Sequence, residues 1–312
     1  MCPEGKKIFL LILTVVLVLN NCSQREKWFT STILYFDTLC EVKLYCQPEE
    51  FDSSLQKIQD IFAQIEKSFS PQSEDLSSSS VVSLFKEALR FYEDSEGYFD
   101  ISVGSLTDLW NTARKRKLLP SAEEIENLLQ YVGLEKIKIR DSSLLLPPGM
   151  KLDWGSIAKG FGVELAARAL IDNGLRRGFI NAGGDLYCWG KNPSKSLWKI
   201  GIKHPRRAGF LGVLSVSDTA VATSGDYQRY FELDHIRYHH VLNPFTGYPA
   251  WGKQSVTVVG PSATWCDALS TAIFASPCPD KIIARYPDYG AIIVDSEGKV
   301  EKLGKDFDFK LK

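Results

Sequence analysis

One strand-to-helix connection, residues 150–170, constrains the fold more than any other stretch of the chain. A short apolar strand is predicted over residues 150–152, Asp153 follows it, and glycines then surround Ser156 and Lys159 before an alanine-rich helical pattern. A strand, a glycine turn and a helix start present backbone N–H groups and the positive end of a helix dipole to an anion. With an acid, a hydroxyl and an ammonium added, the connection predicts a site for a phosphate and its metal. An ordinary tight turn is the alternative interpretation.

Length and composition restrict the class of protein. The chain has 312 residues, of which 44% are hydrophobic and 24% charged, and this composition is typical of a globular protein with a large core. A formal net charge of −1 argues against nucleic acid as a partner and against broad electrostatic binding to membranes. Only four histidines are present, so a histidine-rich zinc site is not expected.

The N-terminal segment has the pattern of an export signal. Two lysines precede an apolar run over residues 8–19, which is too short to span a bilayer but has the length of a signal-peptide core. Leu19 stands three residues before Cys22, and this spacing resembles a bacterial lipobox with Cys22 as the lipidated residue. An ordinary secretory signal and an uncleaved anchor are the alternatives, and all three imply export.

The predicted organisation is a signal peptide over residues 1–21, a tether over 22–29 and one folded domain over 30–312. A lipid on Cys22 would hold the domain on the inner membrane facing the periplasm, or on the cell surface.

Five further cysteines are expected in the mature chain. They are Cys40, Cys46, Cys188, Cys266 and Cys278. An odd number without CxxC spacing indicates neither a disulfide framework nor a metal cluster. A Cys40–Cys46 bridge is possible.

The hydrophobic periodicity predicts a mixed α+β domain. Strands are expected at residues 32–38, 42–45, 137–140, 144–146, 198–202, 210–216, 220–223, 230–233, 238–242, 254–259, 292–295 and 299–303. Helices are expected at residues 51–69, 81–92, 121–132, 163–170 and 262–275, the third of them with a capping box of Ser121 and Glu124. The basic run 114–117 is interpreted as a surface loop. The elements do not alternate regularly as βαβ units.

Two candidate ligand contacts are rich in glycines or turns, and the second of them combines two segments. Residues 181–185 contain paired glycines, which allow a ligand to approach the backbone closely. Residues 223–227 and 240–247 lead into a turn, with His240 on the strand before it. A single histidine is more often structural than catalytic, so both interpretations of His240 remain open.

A third candidate lies on the helix predicted over residues 262–275. Asp267, Ser270 and Thr271 are spaced at i, i+3 and i+4 and so share one helical face. Hard oxygen ligands of this kind suit Mg²⁺. The alternative is that the two hydroxyls bond back to the helix and that Asp267 only complements the helix dipole.

Six segments together resemble the motifs of the ApbE family, the FAD:protein FMN transferases. They are residues 98–104, 153–162, 181–185, 222–226, 240–247 and 255–271. The resemblance spans about residues 30–305 and implies a single α+β domain with the FAD and metal site in a central cleft.

The resemblance also implies a reaction and a set of residues. The reaction is Mg²⁺-dependent transfer of FMN from FAD to a threonine or serine of a target protein, through a phosphoester bond and with release of AMP. By position, the metal residues are Ser156, Asp267, Ser270 and Thr271, and the FAD contacts are Phe36, Gln72, Tyr98, Phe99, Asp100, Asp153, Lys159, Tyr238 and His240. The catalytic pair is Asp267 and His240, with His240 as the base at its ordinary pKa of about 6.5.

The sequence departs from the family pattern at three places near the flavin. Trp154 replaces a small aliphatic residue, Phe36-Asp37-Thr38 stands where Met-Gly-Thr is usual, and Gln72 occupies a position often held by tyrosine. These changes concern the isoalloxazine contacts more than the metal. Two further functions use the same residues: an FAD pyrophosphatase that yields FMN and AMP, and an FAD-binding lipoprotein without activity.

Overall fold

The computed structural model of the protein describes residues 25–70 and 73–312. The predicted signal peptide, the lipidated Cys22 and the predicted FAD contact Gln72 therefore lie outside the described residues. The first strand begins at Lys27, so the folded domain includes the last three residues of the predicted tether. The reason is that Trp28 packs against Tyr45 and Trp198, with ring centroids 5.4 and 5.6 Å away.

The domain mixes helices and strands, as the α+β prediction requires. The helices are α1 (Pro48–Phe69), α2 (Ser79–Asp94), α3 (Gly104–Arg116), α4 (Ala122–Leu129), α5 (Ala158–Asp172), α6 (Ala263–Ala275) and α7 (Pro279–Ile283). The strands are β1 (Lys27–Tyr35), β2 (Thr38–Cys46), β3 (Lys138–Arg140), β4 (Ser143–Leu145), β5 (Gly178–Ala182), β6 (Asp185–Trp189), β7 (Trp198–Lys203), β8 (Phe210–Val216), β9 (Thr219–Gly225), β10 (Tyr230–Leu233), β11 (Ile236–His239), β12 (Lys253–Gly260), β13 (Gly290–Asp295), β14 (Val300–Gly304) and β15 (Phe309–Leu311).

An eight-stranded antiparallel sheet forms the centre, with the order β1-β2-β5-β6-β9-β12-β13-β14. A three-stranded sheet, β15-β8-β7, and the hairpins β3-β4 and β10-β11 accompany it. Successive residues of a strand point to opposite faces. Accordingly Ile180 packs into the core shared with the helices, whereas Phe179 packs against Trp198 of the smaller sheet. The large sheet therefore lies between a helical layer and the smaller sheet.

Helix α6 is apolar nearly all round and is buried against β9 and β12, as a central helix should be. The Ser262 side chain caps it by accepting the N–H of Trp265. It also packs closely on α5, because Gly160 has no side chain: a Cβ there would lie 2.3 Å from the Ala263 carbonyl oxygen. This close approach brings the start of α5 next to Asp267.

Several local predictions are wrong for physical reasons. The basic run 114–117 is mostly helical, because Trp110 and Ala113 anchor the inner face of α3. The side chains of residues 115–117 extend into solvent, whereas Arg114 is half-buried. The predicted strand 150–152 is reduced to a single bridge between Lys151 and Val103.

The possible Cys40–Cys46 bridge is also excluded. Both thiols are free and lie on the same strand, six residues apart, which at about 3.3 Å per residue separates them by roughly 20 Å. In the described part of the chain, no helix has both the length and the apolar character needed to cross a membrane.

Candidate active site

A cavity of about 1280 Å³ opens beside the ends of several elements. Nine of the predicted site residues line it: Phe36, Tyr98, Asp100, Asp153, Ser156, Lys159, His240, Asp267 and Thr271. They come from the β1–β2 turn, the segment before α3, the turn before α5, the first turn of α5, the segment after β11, and α6. The volume exceeds the range of about 300–1,000 Å³ that is usual for a small-ligand pocket.

The most highly charged part of the cavity is a cluster of Lys159, Asp185 and Asp267. The Lys159 ammonium lies 2.7 Å from an Asp185 oxygen and 3.6 Å from an Asp267 oxygen. Both carboxylates are buried, and the Gly160 N–H donates to Asp267 at 2.9 Å. The glycine required for helix packing thus also places a helix N-terminal amide against the carboxylate.

The electrostatics of this cluster favour a further cation. Burial raises the pKa of Asp267, and the Asp185 carboxylate raises it further, although Lys159 and the Gly160 amide oppose this. Burial alone would lower the pKa of Lys159, but the two carboxylates hold it above its ordinary value. Two carboxylates therefore face one ammonium, which leaves a buried negative excess.

Asp185 was not among the residues predicted for the site. The glycine pair of residues 181–185 predicts that a ligand approaches the backbone, and this prediction gives no role to the acid that ends the segment. Its position directly after the glycine turn was the available signal. The turn places it against Lys159, which the sequence assigned to FAD alone.

The three oxygen residues of α6 have different surroundings. Thr271 lines the cavity, and its hydroxyl lies 3.1 Å from that of Ser224. Ser270 does not line the cavity: its hydroxyl donates to the Asp267 carbonyl at 2.9 Å and lies 2.8 Å from the Ser224 hydroxyl. For Ser270, the alternative of back-bonding within the helix is the one observed, and its predicted contact with a metal has no support from its placement.

Asp153 organises the turn that opens the strand-to-helix connection. One carboxylate oxygen accepts the Gly155 N–H at 2.9 Å and the other accepts the Thr107 hydroxyl at 2.8 Å. Lys159 also donates to the Gly155 carbonyl at 3.2 Å. These bonds fix the backbone around Ser156, which lies at the cavity wall.

The predicted flavin contacts at residues 98–100 separate into two groups. Tyr98 lines the cavity and packs edge-to-face on Phe245, with ring centroids 4.9 Å apart. Asp100 lines it as well; burial raises its pKa to about 6, against the opposing hydrogen bonds from Ser102. Phe99 has no exposed surface and packs on Phe91, so it supports its neighbours from the core, and its predicted contact with FAD has no support from this placement.

Tyr238 also lies outside the large cavity. Its ring stacks on Trp110 at 5.7 Å and on Phe231 at 5.4 Å. The indole N–H of Trp110 is in turn held by the Gly247 carbonyl at 2.7 Å. Long-range aromatic packing thus holds the Tyr238 side chain away from the large cavity, and its predicted contact with FAD has no support from this placement.

His240 lines the cavity with a neutral imidazole. Burial lowers its pKa to about 3, and the nearby His239, Arg229 and Lys159 add to this effect. The expected pKa of about 6.5 is therefore wrong for the folded protein. Within the described residues, the buried Nδ1 has no hydrogen-bond partner. The ring is thus uncharged at neutral pH, with one ring nitrogen protonated and the other not, and it has unused capacity for a hydrogen bond.

The residues present fit a hard divalent cation. Within the described residues, no group of three or more His, Cys, Asp or Glu side chains is placed to hold a metal alone. Mg²⁺, however, takes one or two carboxylates and completes its shell with other oxygens, water and substrate phosphate. Oxygen donors of this kind are the Asp267 carboxylate and the Thr271 hydroxyl. The excess negative charge of the cluster also favours a cation there.

Comparison with known proteins identifies relatives of this arrangement. The ApbE family matches residues 36–292. The FAD:protein FMN transferase of Treponema pallidum is 28% identical over 316 residues, which cover 88% of this chain and 87% of that protein. The enzyme of the same name from Vibrio cholerae is 33% identical over 202 residues, or 63% of this chain and 60% of that protein.

Two solved structures share the fold. The ApbE protein of Thermotoga maritima superimposes with a TM-score of 0.82 at 32% identity, covering 89% of this chain and 97% of that one. The apo flavinyl transferase ApbE of Pseudomonas stutzeri gives a TM-score of 0.77 at 26% identity, covering 89% and 94%.

Proposed function

We infer from the membership of this chain in the ApbE family, and from its cavity, that the protein transfers FMN from FAD to an acceptor protein. The observation that carries this conclusion is a single cavity that holds both the Lys159–Asp185–Asp267 cluster and the neutral His240. A phosphoryl-type transfer needs charge stabilisation and a base, and in this proposal the cluster supplies the first and His240 the second.

The FAD would lie along the predicted residues that line the cavity. The aromatic rings of Phe36 and Tyr98 supply apolar surface for the isoalloxazine or adenine ring. The Lys159 ammonium and the amides of the turn held by Asp153 supply positive charge for the diphosphate. The ligand thus extends from an aromatic wall to the charged cluster.

We propose Mg²⁺ as the cofactor at that cluster. Asp267 and Thr271 would hold it, with an oxygen of Ser156 as a third candidate. When bound, the ion neutralises diphosphate oxygens and so makes the phosphorus a better electrophile. Asp185 keeps Lys159 charged beside it, and the Gly160 amide holds Asp267 in place.

We propose that His240 is the base. Its neutral ring can accept the proton from a threonine or serine hydroxyl of the acceptor. The hydroxyl oxygen then forms the new bond to the FMN phosphorus, the bond from that phosphorus to the AMP oxygen breaks, and AMP leaves with the electron pair. The low pKa makes His240 a weak base in the free enzyme. We therefore propose that its pKa rises when ligands bind beside it.

The cellular location remains a proposal from the N-terminal sequence. Residues 1–21 would direct export, and a lipid on Cys22 would tether the domain to the membrane, with FAD and the acceptor meeting it in the periplasm or at the cell surface.

The test is an incubation of the full chain, purified in detergent, with FAD, Mg²⁺ and candidate acceptor proteins. We expect covalent in-gel flavin fluorescence on an acceptor and one AMP per flavin transferred. FMN and AMP without labelled protein would instead indicate an FAD pyrophosphatase, in which water replaces the hydroxyl. Intact bound FAD would indicate a binding protein. Omission of Mg²⁺ with EDTA is the matched control.

A further inference from the structure

The cavity extends beyond the charged cluster to one edge of the smaller sheet. In the sheet order β15-β8-β7, strand β7 is the last, and within the described residues it pairs with β8 alone. All six consecutive residues of β7, from Trp198 to Lys203, line the cavity. A strand that shows one face contributes every second residue, so a consecutive run means that the edge of β7 faces the cavity.

The hydrogen-bond register shows which backbone groups point outward. Ser215 donates its N–H to Asp308, and Leu211 accepts from Lys312, so the odd residues of β8 bond to the β15 side. The even residues of β8 therefore bond to β7, and the register pairs Leu214 with Ile200. The N–H and C=O groups of the intervening residues Lys199 and Gly201 consequently point away from the sheet.

The side chains beside this edge are basic. Lys199 and Lys203 lie on the exposed face of β7, on either side of Gly201. In the described part of the chain, no carboxylate lies within 4 Å of either ammonium; Lys199 contacts the Ser215 hydroxyl at 2.6 Å and Lys203 lies over the Tyr227 ring. An added strand with acidic residues opposite these lysines would complement the charge.

The end of this edge is fixed in place. The Arg206 guanidinium forms two bonds to the buried Asp226 carboxylate, at 2.7 and 2.5 Å, and so holds the segment that follows β7. A strand that docks here would meet a preorganised edge, which reduces the entropy lost on binding.

From these observations we propose that the acceptor docks as an extended segment that adds a strand to the free edge of β7 and delivers its hydroxyl to the charged cluster. Backbone bonds to Lys199 and Gly201 would give affinity, and Lys199 and Lys203 would favour acidic residues at alternate positions. This inference rests on the proposed function. It explains how a hydroxyl on a flexible segment reaches a cavity lined by both β7 and His240.

The test uses the full chain in detergent with FAD, Mg²⁺ and a pool of twelve-residue peptides, each with one central threonine and no serine. Flavin-bearing peptides are identified by mass, and kcat/KM is measured for the best of them. Lys199→Pro removes the outward N–H, whereas Lys199→Ala removes the side chain alone. We expect Lys199→Pro to lower kcat/KM about tenfold relative to Lys199→Ala, the factor given by one lost hydrogen bond.

A second measurement varies the peptide and uses the unaltered protein, so it does not depend on how the variants fold. Single N-methyl groups along the best peptide should reduce transfer at every second position, since alternate amides of an added strand face β7. FAD titration of both variants checks that the site survives. The docking proposal would be overturned if the two variants had equal kcat/KM and the N-methyl groups showed no alternation along the peptide. It would also be overturned if folded proteins were labelled but no peptide was. Absence of flavin on every peptide and protein would instead overturn the proposed function.

Discussion

The two ends of the cavity are built in opposite ways. At the α5–α6 end, Asp185 and Asp267 are buried and every charge has a defined partner within 4 Å. At the other end, the aromatic wall, Tyr98 packs edge-to-face on the exposed Phe245. From this difference we expect the chemistry to take place where packing fixes the geometry, and the ligand to be recognised where side chains have more freedom.

The largest expected effect is at the buried end. Asp267→Asn keeps the shape but removes the charge that would hold Mg²⁺, so we expect turnover to fall about a thousandfold or more. Ser270→Ala is the matched control, because Ser270 shares the helical face but does not line the cavity. Steady-state release of AMP measures both. Equal losses of AMP release in the two variants would contradict a specific role for the Asp267 carboxylate in holding the metal.

His240→Ala should separate chemistry from binding. Loss of the base should lower transfer by about 10²–10⁴-fold, a range usual for general base catalysis. The FAD dissociation constant, from fluorescence titration, should change little, because the aromatic wall and Lys159 remain. Full transfer by this variant would reject the role of base.

The acid stability of the fold should depend on the buried His239. Burial lowers its pKa to about 4, below that of the unfolded chain, so the unfolded state binds more protons between pH 4 and 6.5. Stability is thus lost as pH falls through this window, by about 3 kcal/mol for this one group. Urea unfolding should show a shallower pH dependence for His239→Asn than for the native chain. An identical slope would contradict the assignment.

A smaller effect is expected where the two helices meet. Gly160→Ala places a methyl group 2.3 Å from the Ala263 carbonyl and should destabilise the fold by about 1–3 kcal/mol. Gly162→Ala is the control, since its nearest contact is the outer atom of the Phe36 ring at 3.1 Å. Thermal unfolding with and without Mg²⁺ measures both. Alanine raises helix propensity at both positions, so a control as unstable as Gly160→Ala would show that the close contact with Ala263 is not the cause of the loss.

The same contrast explains which predictions from sequence succeeded. Local signals were sufficient for α4, where Ser121 and Glu124 form the expected capping box, and for α6, where Ser262 is the cap. Nine of the site residues that the family resemblance predicts line one cavity. Long-range packing determines the positions of the other residues. Phe99 and Tyr238 pack into aromatic clusters, and Lys159 contacts Asp185, which is distant in the sequence, so hydrophobic periodicity does not predict this contact.

The most direct test of the central claim is the position of the metal. Mn²⁺ can replace Mg²⁺ in such oxygen sites and gives an anomalous X-ray signal. In crystals soaked with Mn²⁺ and FAD, the account predicts a peak bound to the Asp267 carboxylate and the Thr271 hydroxyl, next to the FAD diphosphate. A peak elsewhere in the cavity, or FAD bound with no metal at Asp267, would contradict it.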